Sequence, residues 1–400
     1  MTDRVQIVSP IDGRVYAERK VATGAEIDAA VAKTRRAREV WAEVTVKERV
    51  KFLEHFLDAL LKKNDEIVPE LAWQMGRPVR YQGEKRGVEE RSRYMIGIAE
   101  ESLKLSMRPD KPGFERWIAR EPLGTVMVIA PWNYPYLTAI NTIVPALMAG
   151  NAVVLKHASQ TLLVGERFAE AFQAAGMPDG LFQNLVLNHA DTEKLIGSGK
   201  IDHVNFTGSV EGGRRIERAA AGTFATLGLE LGGKDPAYVR EDANLSHAVE
   251  NLVDGSFFNS GQSCCGVERI YVHASVYDRF VKDFVENARG WTLGNPLDAD
   301  TMVGPMATPR FADLVRGQTL EALRKGAKAH LNTKHDLDEE SSPYLAPEVL
   351  TNVNHQMAVM REESFGPVVG IMKVRDDAEA IELMNDSPYG LTASIWTEDL

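Results

Sequence analysis

Between residues 126 and 285, short apolar segments alternate with longer segments of helical spacing. In the first half of this region the strand candidates are residues 126–130, 152–155, 182–186, 203–206 and 226–229. Helical patterns separate them, at residues 140–148, 164–175, 192–196 and 212–220. Alternation of this kind favours a parallel, doubly wound sheet, which binds ligands at the carboxyl ends of its strands. We therefore predict an α/β fold.

The same alternation restarts after Gly232-Gly233, with strands at 237–239 and 270–273 and helices at 248–258 and 276–285. We therefore predict two doubly wound parallel-sheet domains with a boundary near Gly233. The first comprises residues 1–105 and 121–232, and the second comprises residues 233–400. We predict one β-hairpin within the first 23 residues and a second, projecting from the first domain, at 106–120. Residues 81–93 are predicted to be a solvated charged run without a function.

Composition excludes several classes of protein. Hydrophobic residues make up 44% and charged residues 26% of the chain, as in ordinary globular proteins. A net charge of −11 disfavours nonspecific nucleic-acid binding, which needs a basic surface. The first residues have no apolar core of a secretory signal, and no apolar run approaches the ~20 residues of a membrane span. With no disulfide framework, we expect a reducing cytoplasm.

The only two cysteines of the chain are adjacent, at Cys264 and Cys265, and they follow Gly261 and Gln262. A helix that runs into an exposed, glycine-rich turn is a suitable place for a nucleophilic thiolate. The alternative is that both are small buried core residues. Adjacent cysteines are unsuited to bridging each other, and two without histidines at ligand spacing do not form a zinc site. We expect no metal.

Polar residues with possible chemical roles follow the predicted strands of the first domain. Asn133 could donate to an oxyanion or cap the next helix, and Lys156 could bind a ligand or lie on the surface. Gly208 and Gly213 could let backbone N–H groups approach a phosphate. Glu230 could be a general base or a solvated carboxylate. None of these alternatives is decided by one residue alone.

Six segments, taken in order, narrow the possibilities. Their sequences are Pro-Trp-Asn-Tyr-Pro, Gly-Asn-Ala-Val-Val-Leu-Lys, Phe-Thr-Gly-Ser, Leu-Glu-Leu-Gly-Gly-Lys, Phe-Asn-x-Gly-Gln-x-Cys and Glu-Glu-x-Phe-Gly-Pro. From about Ser9 to Leu400, the chain resembles the NAD(P)-dependent aldehyde dehydrogenase superfamily. The resemblance implies a dinucleotide-binding first domain, a catalytic second domain and a hairpin at 106–120 used for oligomerisation, most often as a homodimer or homotetramer.

The resemblance also implies the roles of the catalytic residues. Cys264 matches the nucleophile that attacks the aldehyde carbon, and a thioester follows after hydride transfer to nicotinamide. Asn133 and the backbone N–H of Cys264 match the groups that hold the oxyanion. Glu230 matches the glutamate that activates water for hydrolysis, and relatives that transfer the acyl group to coenzyme A generally lack it.

The cofactor, NAD or NADP, is implied in the same way. Lys156 and Glu363 match residues that bind the two riboses. Gly208, Ser209 and Gly213 match the pyrophosphate segment, and Trp132 and Phe365 match residues that line the nucleotide groove.

Three departures from the family pattern have consequences. Ser159 replaces a glutamate that binds the adenosine 2′-hydroxyl and would repel a 2′-phosphate, so we expect NADP to be accepted. Around Asn188 the usual glycine is replaced, which implies a reshaped adenine pocket. Relatives continue beyond Leu400 with the end of the catalytic domain, part of the substrate tunnel and an oligomerisation strand, so we expect either that the chain is cut short or that the protein is incomplete.

The substrate is less constrained. Relatives acting on succinate semialdehyde have an arginine near position 141, and Asn141 cannot supply that charge. We therefore expect an uncharged aliphatic or aromatic aldehyde. Two alternatives to hydrolytic aldehyde oxidation stay open at this point, namely a coenzyme A-acylating enzyme and a nucleotide-binding protein with a decayed active site.

Overall fold

A computed structural model of the protein describes residues 4–331 and 341–399. This part of the chain forms two compact units. Unit 1 contains residues 4–7, Ala17–Val68 and Gly83–Glu230, and unit 2 contains Val8–Tyr16, Pro69–Gln82 and the described residues from Leu231 onward. Each unit has one large, mainly parallel β-sheet, so the predicted α/β class with two parallel-sheet domains is confirmed.

The first four strands form two small two-stranded sheets. β1 (Arg4–Val8) and β2 (Val15–Lys20) form the N-terminal two-stranded sheet, as predicted for this region. β3 (Ser106–Met107) pairs in antiparallel register with β4 (Trp117–Ile118). The second pair is a short, exposed hairpin within the predicted range 106–120.

The five-stranded sheet of unit 1 has the strand order β7-β6-β5-β8-β9, and all its pairs are parallel. Its strands are β5 (Thr125–Ala130), β6 (Ala152–His157), β7 (Phe182–Asn184), β8 (His203–Thr207) and β9 (Thr226–Glu230). All five predicted strands are present within one or two residues of their expected bounds. The order reverses between β5 and β8, because the chain adds β6 and β7 on one side before it returns for β8 and β9.

Helices surround this sheet and precede it. They are α1 (Gly24–Ala42), α2 (Val46–Leu61), α3 (Asn64–Met75), α4 (Lys85–Gly97), α5 (Ala99–Leu103), α6 (Pro135–Met148), α7 (Leu163–Ala174), α8 (His189–Gly197) and α9 (Val210–Ala220). Capping boxes formed by Thr23 with Glu26, and by Thr45 with Glu48, start α1 and α2. Each satisfies backbone N–H groups that a helix start leaves without partners.

The charged stretch 81–93 was predicted to be a solvated run, and most of its charged side chains are exposed, but the stretch also has a buried face. Most of it belongs to α4, in which Val88, Ser92 and Ile96 are buried. These positions are spaced by four, so they lie on one face of the helix. Because one of the three is a serine and charged residues surround them, the apolar periodicity is too weak to recognise.

The large sheet of unit 2 has the order β12-β13-β14-β11-β10-β15, and only the β12–β13 pair is antiparallel. The strands are β10 (Asp235–Val239), β11 (Val267–His273), β12 (Lys328–Ala329), β13 (Glu348–Thr351), β14 (Val368–Val374) and β15 (Ser394–Trp396). The helices are α10 (Leu245–Phe257), α11 (Tyr277–Ala288), α12 (Pro309–Arg324), α13 (Ala358–Arg361) and α14 (Asp377–Asn385).

Helices cover both faces of this sheet. Alternate residues of β11 point to opposite faces: Ile270 and Val272 pack in the core with α10 and α11, and Tyr271 packs in the core with α12 and α13. A strand buried on both faces is apolar at nearly every position, which is why these segments were recognisable in the sequence. Within residues 4–331 and 341–399, every helix is too short or too polar to cross a membrane.

Candidate active site

Four candidate segments of unit 1 lie at the carboxyl edge of its sheet. Asn133 follows β5, Lys156 lies at the end of β6, Gly208 follows β8, and Glu230 is the last residue of β9. These strands flank the point between β5 and β8 where the strand order reverses. A crevice at such a point is where doubly wound sheets bind ligands.

Asn133 is buried between β5 and α6. The residue at the N-cap position of α6 is Tyr134, and its side chain makes no capping hydrogen bond. Instead, the buried carboxylate of Glu84 accepts the Leu137 N–H at 2.6 Å. Glu84 therefore anchors the start of α6 and, with it, the segment of Asn133. This residue was missed in the sequence because it lies within the charged stretch.

Lys156 and His157 end β6 as buried residues. Burial lowers the pKa of Lys156 to about 8 and the pKa of His157 to about 4. His157 is therefore neutral near pH 7, and its Nε2–H donates to the Pro135 carbonyl oxygen at 3.2 Å, because a carbonyl can only accept. Its Nδ1 accepts from the Thr161 hydroxyl at 3.1 Å. His157 thus joins the end of β6 to the start of α6. Ser159 begins a 3₁₀ turn, Ser159–Thr161.

The segment after β8 has the geometry of a phosphate cradle. Ser209 caps α9, since its Oγ accepts the Gly212 N–H at 3.1 Å. A Cβ added at Gly208 or Gly212 would lie 2.7 or 2.6 Å from the Phe206 ring. Only glycine lets the backbone pack this closely on the ring, and it leaves the start of the helix uncovered by side chains.

In unit 2, the nucleophile candidate follows a strained turn. The 3₁₀ turn Phe258–Gly261 contains Asn259 and Ser260 with φ of 55° and 58°, values that non-glycine residues rarely adopt. The Arg77 guanidinium donates to Asn259 Oδ1 at 3.1 Å, and Ser260 Oγ donates to the Gly304 carbonyl at 2.9 Å. Such a conformation persists only where its surroundings hold it in place.

The expected exposed turn therefore differs from the observed one. Asn259, Ser260, Gly261 and Gln262 are buried, and the chain reaches the surface at residues 263–265. Gln262 is held in place by the Ala307 N–H, which donates to its Oε1 at 2.8 Å. The polarity and glycine content of this turn favour exposure in the sequence. In the structure, its polar groups have buried partners more than 40 positions away.

Cys264 is half-buried, Cys265 is exposed, and neither forms a disulfide bond. The neighbouring Cys265 thiol and then burial raise the pKa of the Cys264 thiol. Cys264 is thus a protonated thiol near pH 7 in this state, so thiolate formation needs a proton acceptor. The reading of both cysteines as core residues is excluded by this exposure.

Three candidate segments of unit 2 meet at the amino edge of its sheet. Gly233 precedes β10, Cys264 precedes β11 and Glu363 precedes β14, and these strands are neighbours. The Gly233 N–H donates to Glu363 Oε1 at 3.1 Å. A Cβ at Gly232 would lie 2.5 Å from Glu363 Oε2, and one at Gly233 would lie 2.7 Å from the Cys264 carbonyl oxygen. The two glycines are required by these close approaches.

Asn141 cannot supply a positive charge itself, but an arginine lies beside it. The Arg91 guanidinium of α4 donates to Asn141 Oδ1 at 3.3 Å. Both residues are exposed. A positive charge is therefore present beside position 141, although it comes from another helix.

The comparisons with known proteins agree on one family. The whole chain, residues 1–400, matches the aldehyde dehydrogenase family model. The 4,4'-diapolycopene aldehyde oxidase of a Methylomonas species is 36% identical over 403 residues, or 99% of this chain and 74% of the relative. The solved NADP-dependent glyceraldehyde-3-phosphate dehydrogenase of Bacillus halodurans is 33% identical, with a TM-score of 0.92 over 100% of this chain and 83% of that one. The solved betaine aldehyde dehydrogenase of Staphylococcus aureus is 29% identical, with a TM-score of 0.91 over 99% of this chain and 80% of that one.

Fold and sequence together define an oxidoreductase with two parallel-sheet units. The chain belongs to the aldehyde dehydrogenase family, whose members act on aldehydes, and the resemblance inferred from the six motifs is confirmed. The Bacillus halodurans structure contains NADP and the Staphylococcus aureus structure contains NAD. Solved relatives therefore bind either cofactor.

Proposed function

We propose that the protein oxidises an aldehyde to a carboxylic acid with NAD or NADP, through an intermediate bound to Cys264. The main support is the meeting of three segments in unit 2. The free, half-buried thiol of Cys264 ends a turn held by buried partners, and Gly233 packs against both its carbonyl and the Glu363 carboxylate. Such precise support is expected where a reacting group must keep a fixed position.

In the proposed reaction, the Cys264 thiolate adds to the aldehyde carbon and forms a hemithioacetal. The Asn133 amide and the Cys264 backbone N–H donate to the resulting oxyanion. A bound NAD or NADP would supply the hydride acceptor for oxidation of that carbon. Glu230 then takes a proton from water, which attacks the thioester and releases the acid and the thiol. Its exposed carboxylate at the end of β9 is accessible to water.

The residues present fit a nicotinamide dinucleotide. The N-terminus of α9, with Gly208, Ser209 and Gly213, offers backbone donors to a pyrophosphate. The buried ammonium of Lys156 and the carboxylate of Glu363 suit the hydroxyl groups of two riboses. We assign the walls of the groove to Trp132 and Phe365.

Ser159 is proposed to permit NADP, and its replacement should change cofactor preference. We expect Ser159→Glu to lower the kcat/KM for NADP relative to that for NAD by about 10–100-fold, because a carboxylate would repel the 2′-phosphate. Steady-state kinetics with both cofactors is the measurement. Ser159→Ala is the matched control, since it removes the hydroxyl without adding charge. A wild-type preference for NAD far above NADP would contradict the proposal.

Glu363 should make cofactor binding depend on pH. Burial, and next the Glu268 carboxylate, raise its pKa from 4.5 to about 7. The pKa of Glu363 is higher in the folded protein than in the unfolded chain, so ionised Glu363 lowers the free energy of unfolding above pH 7. This loss of stability is relieved as the pH falls and the folded protein takes up a proton. A neutral carboxyl accepts hydrogen bonds weakly, so we expect the Kd for NADPH to rise between about pH 7.5 and about pH 5.5. Lys156 stays mostly protonated over this range.

Fluorescence titration with NADPH at a series of pH values is the measurement for Glu363. Glu363→Gln cannot ionise and should bind more weakly with little pH dependence. A wild-type Kd that does not change over this range would show that Glu363 is not a cofactor ligand or does not titrate there.

The activity itself is tested by following cofactor reduction with a panel of aldehydes. The panel includes aliphatic and aromatic aldehydes and a carboxylated aldehyde, because Arg91 lies beside Asn141. Formation of free acid without coenzyme A supports hydrolysis, and strict dependence on coenzyme A would identify the acylating alternative. Binding of NADPH without any turnover would favour a decayed enzyme.

We also propose that the hairpin of β3 and β4 contacts a second copy of the chain in a homodimer or homotetramer. Met107, Phe114, Trp117 and Ile118 are exposed large apolar residues there, and a continuous apolar patch on a surface favours association. Light scattering on the purified protein measures the assembly. Cysteines that form no disulfide bond suit a reducing compartment such as the cytoplasm.

A further inference from the structure

Unit 2 contains a buried ion pair that the proposed reaction does not use. Lys234 Nζ lies 2.6 Å from Glu268 Oε2, and the two side chains are 0% and 6% exposed. The attraction within a buried pair is largely offset by the cost of removing both charges from water, so such a pair contributes little net stability. Its position suggests another role. Lys234 directly follows Gly233, and Glu268 lies four residues after Cys264.

Both oxygens of Glu268 hold the segment that follows Glu363. Oε2 accepts the Ser364 N–H at 2.8 Å, and Oε1 accepts the Phe365 N–H at 2.9 Å. Phe365 has a φ of 51°, a strained value for a residue with a side chain. Charge-assisted hydrogen bonds from a carboxylate are among the stronger ones in proteins, and here they stabilise a backbone conformation that the chain would otherwise avoid.

The Ser364 hydroxyl and the Glu363 carbonyl are held by Lys234 and Gln318. Lys234 Nζ donates to Ser364 Oγ at 2.9 Å, and Ser364 Oγ donates to Gln318 Oε1 at 2.6 Å. Gln318 Nε2 donates to the Glu363 carbonyl at 3.3 Å. Backbone groups of all three residues from Glu363 to Phe365 therefore have fixed partners that involve or adjoin the ion pair.

We propose that Glu268, paired with Lys234, is a positioning residue that fixes the segment from Glu363 to Phe365 and thereby the cofactor bound there. This inference rests on the proposed role of that segment in cofactor binding. Glu268 itself acts through the backbone of Ser364 and Phe365. Because Glu268 is the second residue of β11, it ties the cofactor segment to the strand that follows Cys264.

The charge of Glu268 also acts on Glu363, and this provides a second readout. The groups around the Glu363 carboxylate are Glu268 and Asp235, which raise its pKa, and the Gly233 N–H and Lys234, which lower it. Tyr389 is also near Glu363. Burial is the main cause of the raised pKa of the Tyr389 phenol, and the charge of the Glu363 carboxylate also raises it. Removing the charge of Glu268 should therefore lower the pKa of Glu363. The charge alone produces this shift, so the Kd of the folded variants above that pH is the readout of positioning.

The experiment is NADPH titration by fluorescence, across pH, in wild type, Glu268→Gln and the double variant Lys234→Met with Glu268→Gln. The double variant leaves no unpaired buried charge, so it keeps the test valid if the single variant does not fold. We expect the Kd to rise about tenfold or more in both, because an amide cannot accept both backbone N–H groups. The pH at which the Kd rises should also move to a lower value in Glu268→Gln, and it should move less in the double variant because the loss of Lys234 opposes this shift. Glu379→Gln, which removes a half-buried partner of Arg375 in unit 2, is the control and should match wild type.

The possible outcomes separate this inference from the function on which it rests. Failure of wild type to bind NADPH or NADH at any pH would overturn the proposed function. Wild-type binding together with an unchanged Kd in the folded variants would overturn the positioning role alone. A higher Kd in both variants, with the midpoint shifted to lower pH in Glu268→Gln, is the result expected.

Discussion

Replacing Cys264 with alanine is expected to lower aldehyde oxidation by about four orders of magnitude or more, because no other group can form the covalent adduct. An aldehyde does not release a hydride readily until an alkoxide has formed on its carbon. Without the thiol, substrate and cofactor can still bind, but that alkoxide is not formed. The Kd for NADPH should therefore stay close to the wild-type value while turnover disappears.

The adjacent cysteine is a matched control. Cys265 is the more exposed of the two thiols, and its Sγ lies 3.4 Å from Ser263 Oγ. Cys265→Ala should retain most of the activity, although it removes a group that raises the pKa of Cys264. The pH at which activity rises should then shift to a lower value. Comparable losses in both variants, or residual activity in Cys264→Ala within tenfold of wild type, would contradict the assignment of the nucleophile.

Replacing Glu230 with glutamine should separate hydride transfer from hydrolysis. Glutamine has a similar shape but cannot take a proton from water, so we expect thioester hydrolysis to slow by about 10²–10⁴-fold. The first turnover does not need this base. Rapid mixing with an aldehyde should then show a burst of reduced cofactor near one equivalent per site, followed by slow turnover.

The control for this experiment is Glu250→Gln, an exposed glutamate on α10, which should show wild-type kinetics. If both the burst and the steady-state turnover are lost, Glu230 acts in a step before hydride transfer, for example as the acceptor of the Cys264 proton. Unchanged steady-state turnover would exclude Glu230 from the reaction.

Several parts of the fold were predictable because their signals are local. The strands of unit 1 are buried on both faces, so each is a short run of apolar residues bounded by turns. Helix starts such as Thr23 with Glu26 also lie within a few residues of each other. The location of Asn133, Lys156, Gly208 and Glu230 at strand ends followed from the same patterns.

Other parts depended on contacts between distant residues. The rule for parallel sheets places ligands at carboxyl ends, yet the candidates of unit 2 precede their strands and meet at the amino edge. Arg77 holds Asn259 across 182 positions of sequence. Glu84 holds the start of α6 from within a stretch that was predicted to be solvated. Nothing in the local pattern of these residues indicates their partners.

By itself, the sequence determined the fold class, the family and the residues with reactive groups. Each strand pattern and each motif consists of residues that are close together in the sequence, so these features can be recognised without the structure. The tertiary structure decided how those groups are held. It showed that the turn before Cys264 is buried, that Glu363 packs against Gly233, and that Lys234 and Glu268 support the Glu363 segment. Burial, pKa and backbone strain depend on which distant groups surround a residue, and only the folded chain brings those groups together.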